Sequence, residues 1–466
     1  MASKVYYMDA RSSSPQTSMV AKMSTVFEAA GFDSLIKPGN VVAIKLHCGE
    51  WSNTAYLRPV YARTLADRVK ALGGRPFVCD TTTLPYNPYP SRATAFDIMV
   101  TAERNGYNSG TLGCPFICAD GFIGNDDYRV DLPEGYILKE AFIAKAIAAA
   151  DVLITLTHFK GHAAGVFGGA IKNLGIGAQS KRGKFNVHMG GHPKYSFVNS
   201  SIYHPENFKG RKGEKNWEVL EQICPYDLIH VTENSVIWER EKCNDCRACV
   251  SALSSRGIVE LSVENQKATN AAIADACLAT MKAVGRNKVC FVNLAIDLTP
   301  RCDCAGFSDM PIVPNLGVFA SYDPVAIDKA CLDMAKDAEG VPSSAAEDMD
   351  VLESGTHKFE VCAPLLAGLT EDIQVNTGEI IGMGTRNYEI VKVAEKAQKD
   401  FIFPPDPRPI GLRMREKFTK LLFPYDNYFV ERRDGKNFQR KESVDLERVN
   451  TYYENAKKLV KTRAKK

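Results

Sequence analysis

"FIAKAIAAADVLITLTHFKGH", residues 142 to 162, decides the fold class. An alanine-rich run reads as a helix, Asp151 breaks it, and an unbroken apolar strand follows from Val152 to Thr157. The strand then runs into His158, Lys160 and His162. The same plan recurs on either side. "NVVAIKLH" (40 to 47) is a short β-branched run, "YARTLADRVKALGG" (61 to 74) sets Leu65, Val69 and Leu72 on one helical face, and "RPFVCDT" (75 to 81) is a further strand. "KVCFVNLAID" (288 to 297) and "LGVFASYDPVAIDKACLDMAK" (316 to 336) supply two more, the second entering a helix through Asp323 as N-cap and Pro324 at its first position. Apolar strands bracketed by helices predict an α/β fold, with a mainly parallel sheet covered by helices on both faces.

The chain has 466 residues, 45% hydrophobic and 24% charged, which excludes a disordered protein and leaves room for two or three domains. No apolar run approaches the roughly 20 residues of a membrane span, and "MASKVYYMDARSSSP" lacks the apolar core of a secretion signal, so a cytoplasmic protein is expected. Fourteen cysteines in a reducing compartment are not a disulfide framework. Clustered ones point to metal and isolated ones, such as Cys79, Cys290 and Cys331, to core packing.

In parallel sheets ligands bind at the carboxyl ends of the strands. Here those ends carry "KLHCGE" with Lys45 and His47, "CDTTT" with Asp80, and the long segment 157 to 192 with His158, Lys160, His162, Lys172, Asn173, Lys181, Lys184, His188 and His192 among many glycines. Glycine lets backbone approach a ligand, and Lys and His donate to negative charge, so an anionic or phosphorylated ligand is the expected occupant. His162, His188 and Lys45 are the candidate catalytic groups. His47, His158, Lys160, Lys172, Asn173 and Lys181 are the candidate binding groups. A solvated glycine-rich surface loop is the plainer alternative, since no named phosphate fingerprint is present.

"EKCNDCRACVSAL" (241 to 253) holds Cys243, Cys246 and Cys249 in C-x-x-C-x-x-C spacing, the opening of the bacterial ferredoxin pattern. Leu253 stands where the fourth cysteine would be, and no proline follows. Zinc is the rival metal, because thiolates bind it as well. The missing thiolate is expected from "TPRCDCAGFSD" (299 to 309), with Cys304 preferred to Cys302. An iron left open, without a fourth protein thiolate, is the alternative.

Together, "AIKLHCG", "LTHFKGHAAGVFGGAIKNLGIG", the cysteine run and "NLAIDLTPRCDCAGFSDMPIVPNLGVFASYDPVAIDKACLDM" resemble the family known as domain of unknown function 362, over roughly residues 3 to 395. Many of its members are described only as iron–sulfur-cluster-binding proteins. The resemblance implies a ferredoxin-like module, here reduced to one motif because "NAAIADACLATMKAV" retains only Cys277. It implies one [4Fe-4S] cluster and an oxygen-sensitive redox enzyme or cofactor-maturation reductase, acting on an anionic ligand or on a flavin or other phosphate-bearing cofactor. An electron donor such as ferredoxin or a flavoprotein is the expected partner. The competing class is a non-enzymatic electron carrier or structural metal-binding module docking to a partner protein.

The expected organisation is an α/β domain over 1–236, the cysteine-rich ferredoxin-like insertion over 237–285, continuation of the core over 286–400 and a basic arm over 401–466. From Phe401 onward 17 Lys and Arg stand against 9 Asp and Glu, with aromatics interleaved. No recognised nucleic-acid-binding motif accompanies that charge, so the arm is expected to pack on the acidic core or on a sister subunit of a homodimer rather than on nucleic acid.

Overall fold

The computed structural model describes residues 2–84, 90–189 and 193–396, together with Ser443 and Asp445. The chain divides into two compact units, Met1–Gln398 and Lys399–Lys466. The basic arm expected from residue 401 thus falls outside the described residues, apart from those two positions.

Eight strands make one sheet: β1 (Ser3–Asp9), β2 (Val41–Lys45), β3 (Arg75–Asp80), β4 (Phe116–Cys118), β5 (Val152–His158), β6 (Val289–Ala295), β7 (Gly317–Ser321) and β8 (Tyr388–Lys392). Their spatial order is β8-β1-β7-β6-β5-β2-β3-β4. Only β7 runs against its neighbours β1 and β6, and every other pairing is parallel. This is the α/β fold with a mainly parallel sheet that the alternating pattern predicts.

Both faces are covered, and the strand pleat sorts side chains between them. Val152, Ile154 and Leu156 of β5 join Cys290, Val292 and Leu294 of β6 in one core, against the helices α1 (Met19–Ala29) and α2 (Pro59–Ala71). Leu153 and Phe291 face the opposite core, built on α3 (Ala170–Gly175), α4 (Lys181–His188), α5 (Val263–Val284) and α6 (Pro324–Asp337). Each such fully buried side chain contributes about 1.5–3 kcal/mol relative to exposure. Asp323 caps α6, its Oδ1 accepting from the amides of Val325 and Ala326 at 2.9 and 3.0 Å.

One local expectation fails. Glu140–Ala144 is a strand, and the helix is a single turn, Lys145–Ala148. The apolar "AFIA" pairs with Asp127–Asp131 in a hairpin, a tertiary partner that outweighs the helix preference of alanine.

The cysteine run belongs to a third core, drawn from residues between Phe197 and Leu261. The boundary 237–285 would place α5 in the insertion, but Ala272, Ile273, Leu278 and Cys277 of that helix pack into the core over the sheet. Among the described residues no helix is long and apolar enough to cross a membrane.

Strand order reverses between β2 and β5: the chain runs outward from β2 to β3 and β4, then returns to β5 on β2's other side. A crevice at the carboxyl ends of these two strands follows from that topology. The antiparallel course of β7 adds a second consequence. The connection 296–316 leaves β6 and re-enters the sheet at the same end, so "RCDC" stays over the crevice.

Gly317 opens β7 with φ 142°, and a Cβ there would lie 2.1 Å from the Met8 carbonyl oxygen of β1. Gly317→Ala is therefore expected to cost about 2 kcal/mol or more, read as a lowered midpoint in chemical denaturation with an unchanged slope.

Candidate functional site

A cavity of about 460 Å³ opens at the carboxyl ends of β2, β3 and β5. Lys45, His47, Asp80, Arg92, His158, Lys160, His162, Lys172, Asn173, Lys184, His188, Cys302 and Cys304 all line it. Groups dispersed over more than 250 residues of sequence meet here because each follows a strand of one sheet or sits on a segment packed over those strand ends.

The deepest cations are already committed. Lys45 Nζ donates to the Leu46 carbonyl at 2.6 Å and to Asn173 Oδ1 at 3.0 Å, and pairs with Asp80 Oδ1 at 3.0 Å. All three of its ammonium hydrogens are therefore used. Burial alone would raise the Asp80 carboxyl, but Lys45, His47 and Arg92 outweigh it and hold Asp80 well below the usual carboxylate range. Arg92 pairs with the fully buried Glu50 at 3.1 Å and lies 3.3 Å from His47 Nε2. Burial, with Arg92 beside it, pushes His47 down to about 3, so that ring is neutral and its Nδ1 accepts from the Gly49 amide at 2.9 Å.

The Cys302-Asp303-Cys304 loop is anchored through its middle residue. Asp303 reaches His158 Nδ1 at 2.9 Å and Lys160 Nζ at 3.1 Å. His158 Nε2 faces the Ile296 carbonyl at 2.7 Å, so both its ring nitrogens are engaged and it serves the loop rather than a ligand. The strand Lys160–His162 presses on the same loop: the Gly161 amide donates to Thr299 O at 2.8 Å, and a Cβ at Gly161 would stand 2.5 Å from Pro300 O.

With Asp303 turned to His158 and Lys160, the flanking thiols line the cavity beside His162. His162, Cys302 and Cys304 offer ligand atoms within 4.8 Å of one another, a group that could hold a metal ion. The hydrogen bonds qualify this. His162 Nδ1 accepts from the amides of Ala164 and Gly165 at 3.1 and 2.8 Å, which leaves the proton of the neutral ring on Nε2, 3.9 Å from Cys304 Sγ. A metal at Nε2 would have to displace that proton, so the set is better suited to pairing imidazole with thiolate. The Cys304 thiol hydrogen-bonds Cys302 and, with Lys172 and His162 against the opposing effect of burial, holds Cys302 well below the ordinary thiol range. The partner Cys304 is correspondingly raised.

The glycine-rich segment supplies the other wall. The first amides of α3 are occupied by Asp328, which accepts from Ala170 N at 2.7 Å and Ile171 N at 2.9 Å, so positive charge in the cavity comes from side chains. Lys172 has no hydrogen-bond or ion-pair partner among the described residues. On α4, Lys184 donates to Thr81 Oγ1 and Gln179 O at 2.7 and 2.5 Å, keeps one hydrogen free, and is lowered by burial to about 8. His188 is lowered by burial and by Arg247, and is neutral. Lys181 turns away and donates to Ala93 O at 2.5 Å. His192 lies outside the described residues.

Cys243 and Cys249 are elsewhere, in the third core, with Cys246 between them in sequence, and the three are not a set with ligand atoms within 4.8 Å. Their loop nevertheless shares a wall with the cavity: Arg247 Nη1 donates to the His188 carbonyl at 2.5 Å, and Thr269, which lines the cavity, donates to the same oxygen at 3.4 Å. Arg92 is a contributor that residue patterns did not single out, since it belongs to no motif with a fixed spacing, while Asp303 stands inside the quoted "RCDC" and its anchoring role comes from its partners His158 and Lys160.

The family model described as a domain of unknown function (DUF362) matches residues 42–333. No curated protein matches. Among solved structures, the lactate racemase apoprotein from Thermoanaerobacterium thermosaccharolyticum is similar at 13% identity and a TM-score of 0.35, covering 73% of this chain. The match spans 59% of that racemase chain's length.

An activated thiol among inert ones is directly testable. At pH 7, iodoacetamide should label Cys302 before the buried Cys79, Cys277 and Cys290, whose thiols burial pushes up, as read by peptide mass mapping. Lys172→Met should move the onset of Cys302 labelling to higher pH.

Proposed function

We propose, for a chain that belongs to the DUF362 family, that it is an iron–sulfur oxidoreductase acting on a small anionic ligand, or on a phosphate-bearing cofactor such as a flavin. The observation that carries this reading is the contact between the cysteine loop and the cavity wall, Arg247 on His188.

The residues of the run suit the group. Asp245 and Arg247, on either side of Cys246, have φ of 62° and 63°, a left-handed conformation that non-glycine residues seldom adopt in succession at such close spacing. Left-handed residues alternating along a chain are the kind of backbone that can curl its amides around an anion such as a sulfur cluster. When bound, a cluster supplies single electrons. Cys243, Cys246 and Cys249 would hold it.

This chain's own residues do the rest. Lys172 and the unspent hydrogens of Lys160, Lys184 and Arg92 bind the ligand's negative oxygens. His188, neutral and at the wall nearest the cysteine loop, is placed to hydrogen-bond the ligand, and Lys184, lowered by burial to about 8, is the cavity group with a proton to give as the ligand is reduced. Cys302 presents a thiolate beside the Nε2–H of His162, a base and a hydrogen-bond donor within the same cavity. A ferredoxin or flavoprotein is the class of partner that would deliver electrons at the third core. A bare electron carrier would have no use for the cationic cavity.

Anaerobically purified protein is expected to contain iron and acid-labile sulfide with a broad visible absorbance; zinc alone at stoichiometric level would overturn the reading. Binding of inorganic phosphate, by calorimetry, should weaken as pH rises through about 8, because Lys184 is charged below that value and neutral above it. Lys172→Met should weaken binding by about tenfold or more while leaving the visible spectrum unchanged, the loss of one charged hydrogen bond being worth about 1.5–3 kcal/mol.

A further inference from the structure

The fourth thiolate of the cysteine run is the open question, and the fold answers it within the third core. Ile229–Val231 pairs antiparallel with Val236–Trp238, and Ile229 opposite Trp238 closes the ladder. The Glu239 amide extends it by one step, donating to Leu228 O at 2.9 Å. Both strands then turn at this open end, through Asp227 N to Cys224 O at 3.2 Å on one side and Cys243 N to Arg240 O at 3.0 Å on the other. Cys224 comes five residues before Ile229 and Cys243 five residues after Trp238, so the hairpin delivers the two cysteines to the same level.

Packing agrees with topology. Cys224, Cys243 and Cys249 belong to one hydrophobic cluster, and Cys224 is its only cysteine from outside the run among the described residues. The Leu228 amide donates to Cys224 Sγ at 3.4 Å, the kind of hydrogen bond to sulfur that tunes a cluster ligand. The other candidates are committed. Cys302 and Cys304 line the cavity with His162, and Leu253, in the position of the ferredoxin pattern's fourth cysteine, is fully buried among apolar neighbours.

We propose that Cys224 is the fourth protein ligand of the iron–sulfur centre, completing the set of Cys243, Cys246 and Cys249. The inference rests on the reading of the run as a cluster site. It makes that site a four-thiolate one supplied by a hairpin, with no ligand from the cavity and no iron left open to substrate. A set wider than 4.8 Å suits it, because a cluster carries its thiolates on separate irons rather than around one ion.

Wild type, Cys224→Ser, Cys246→Ser, Cys302→Ser and Cys304→Ser are purified anaerobically, with iron and sulfide per chain and the electron paramagnetic resonance of the reduced protein measured. Loss of iron, or an altered signal, is expected for Cys224→Ser and Cys246→Ser, with Cys302→Ser and Cys304→Ser unchanged. Iron and signal intact in Cys224→Ser, but lost in Cys246→Ser, would overturn the assignment. Absence of iron and sulfide from wild type would instead sink the cluster reading, and this inference with it.

A measurement on the unaltered protein guards against a variant that fails to fold. Cys224 should resist iodoacetamide in the loaded protein and react, together with Cys243 and Cys246, after iron is removed by a chelator. Equal labelling of Cys224 before and after removal would overturn the assignment.

Discussion

Asp303 is the constraint on which the site depends. Its carboxylate is fully buried, reaches His158 at 2.9 Å and Lys160 at 3.1 Å, and is held well below the usual carboxylate range by those two groups against the effect of burial. The pair of contacts ties the loop after β6 to the end of β5, the strand beside it in the sheet. Cys-Asp-Cys lies in a turn closed by the Ala305 amide on Cys302 O at 2.9 Å, and with its middle residue fixed both neighbouring thiols line the cavity. Loss of one partner from such a buried pair commonly costs about 3–5 kcal/mol, so the loop has little freedom to leave.

The same energetics apply to the whole cationic wall. Lys45 with Asp80, Arg92 with Glu50 and Lys160 with Asp303 are all buried pairs. Apolar replacements of such pairs are often neutral or stabilising, so the pairs are weak evidence for stability. What they provide is preorganisation. Each carboxylate fixes a cation at the cavity wall, while Lys172, without a hydrogen-bond or ion-pair partner among the described residues, lines the same cavity. Neutral His47, His162 and His188 fit between these cations because burial and positive neighbours suppress their protonation.

The third core sits directly against the cavity wall. Its hairpin and short helix Val250–Ser254 carry the cysteine run, and the guanidinium of Arg247 crosses from that loop to the backbone of His188 and to Asn265 Oδ1 on α5 at 3.3 Å. Arg247 is buried, as a bridging guanidinium between two cores must be, and five donors in a rigid fork let it satisfy both sides.

The sequence by itself determined the sheet, because β-branched runs and helical stripes are local patterns that tertiary contacts reinforce; only where "AFIA" found a strand partner did the local preference lose. It also located the cavity's main contributors, since strand ends in a parallel sheet all lie at one edge. Tertiary structure alone decided how those residues divide their work. Lys45 and His158 are spent on internal partners, Lys181 points away, and Cys302 and Cys304 join His162 instead of the cysteine run. Arg92 and Cys224 carry no motif of their own. One reaches the cavity through its bond to Glu50, the other comes alongside Cys243 through the register of a hairpin, and spacing along a chain cannot encode proximity that depends on which segments pair.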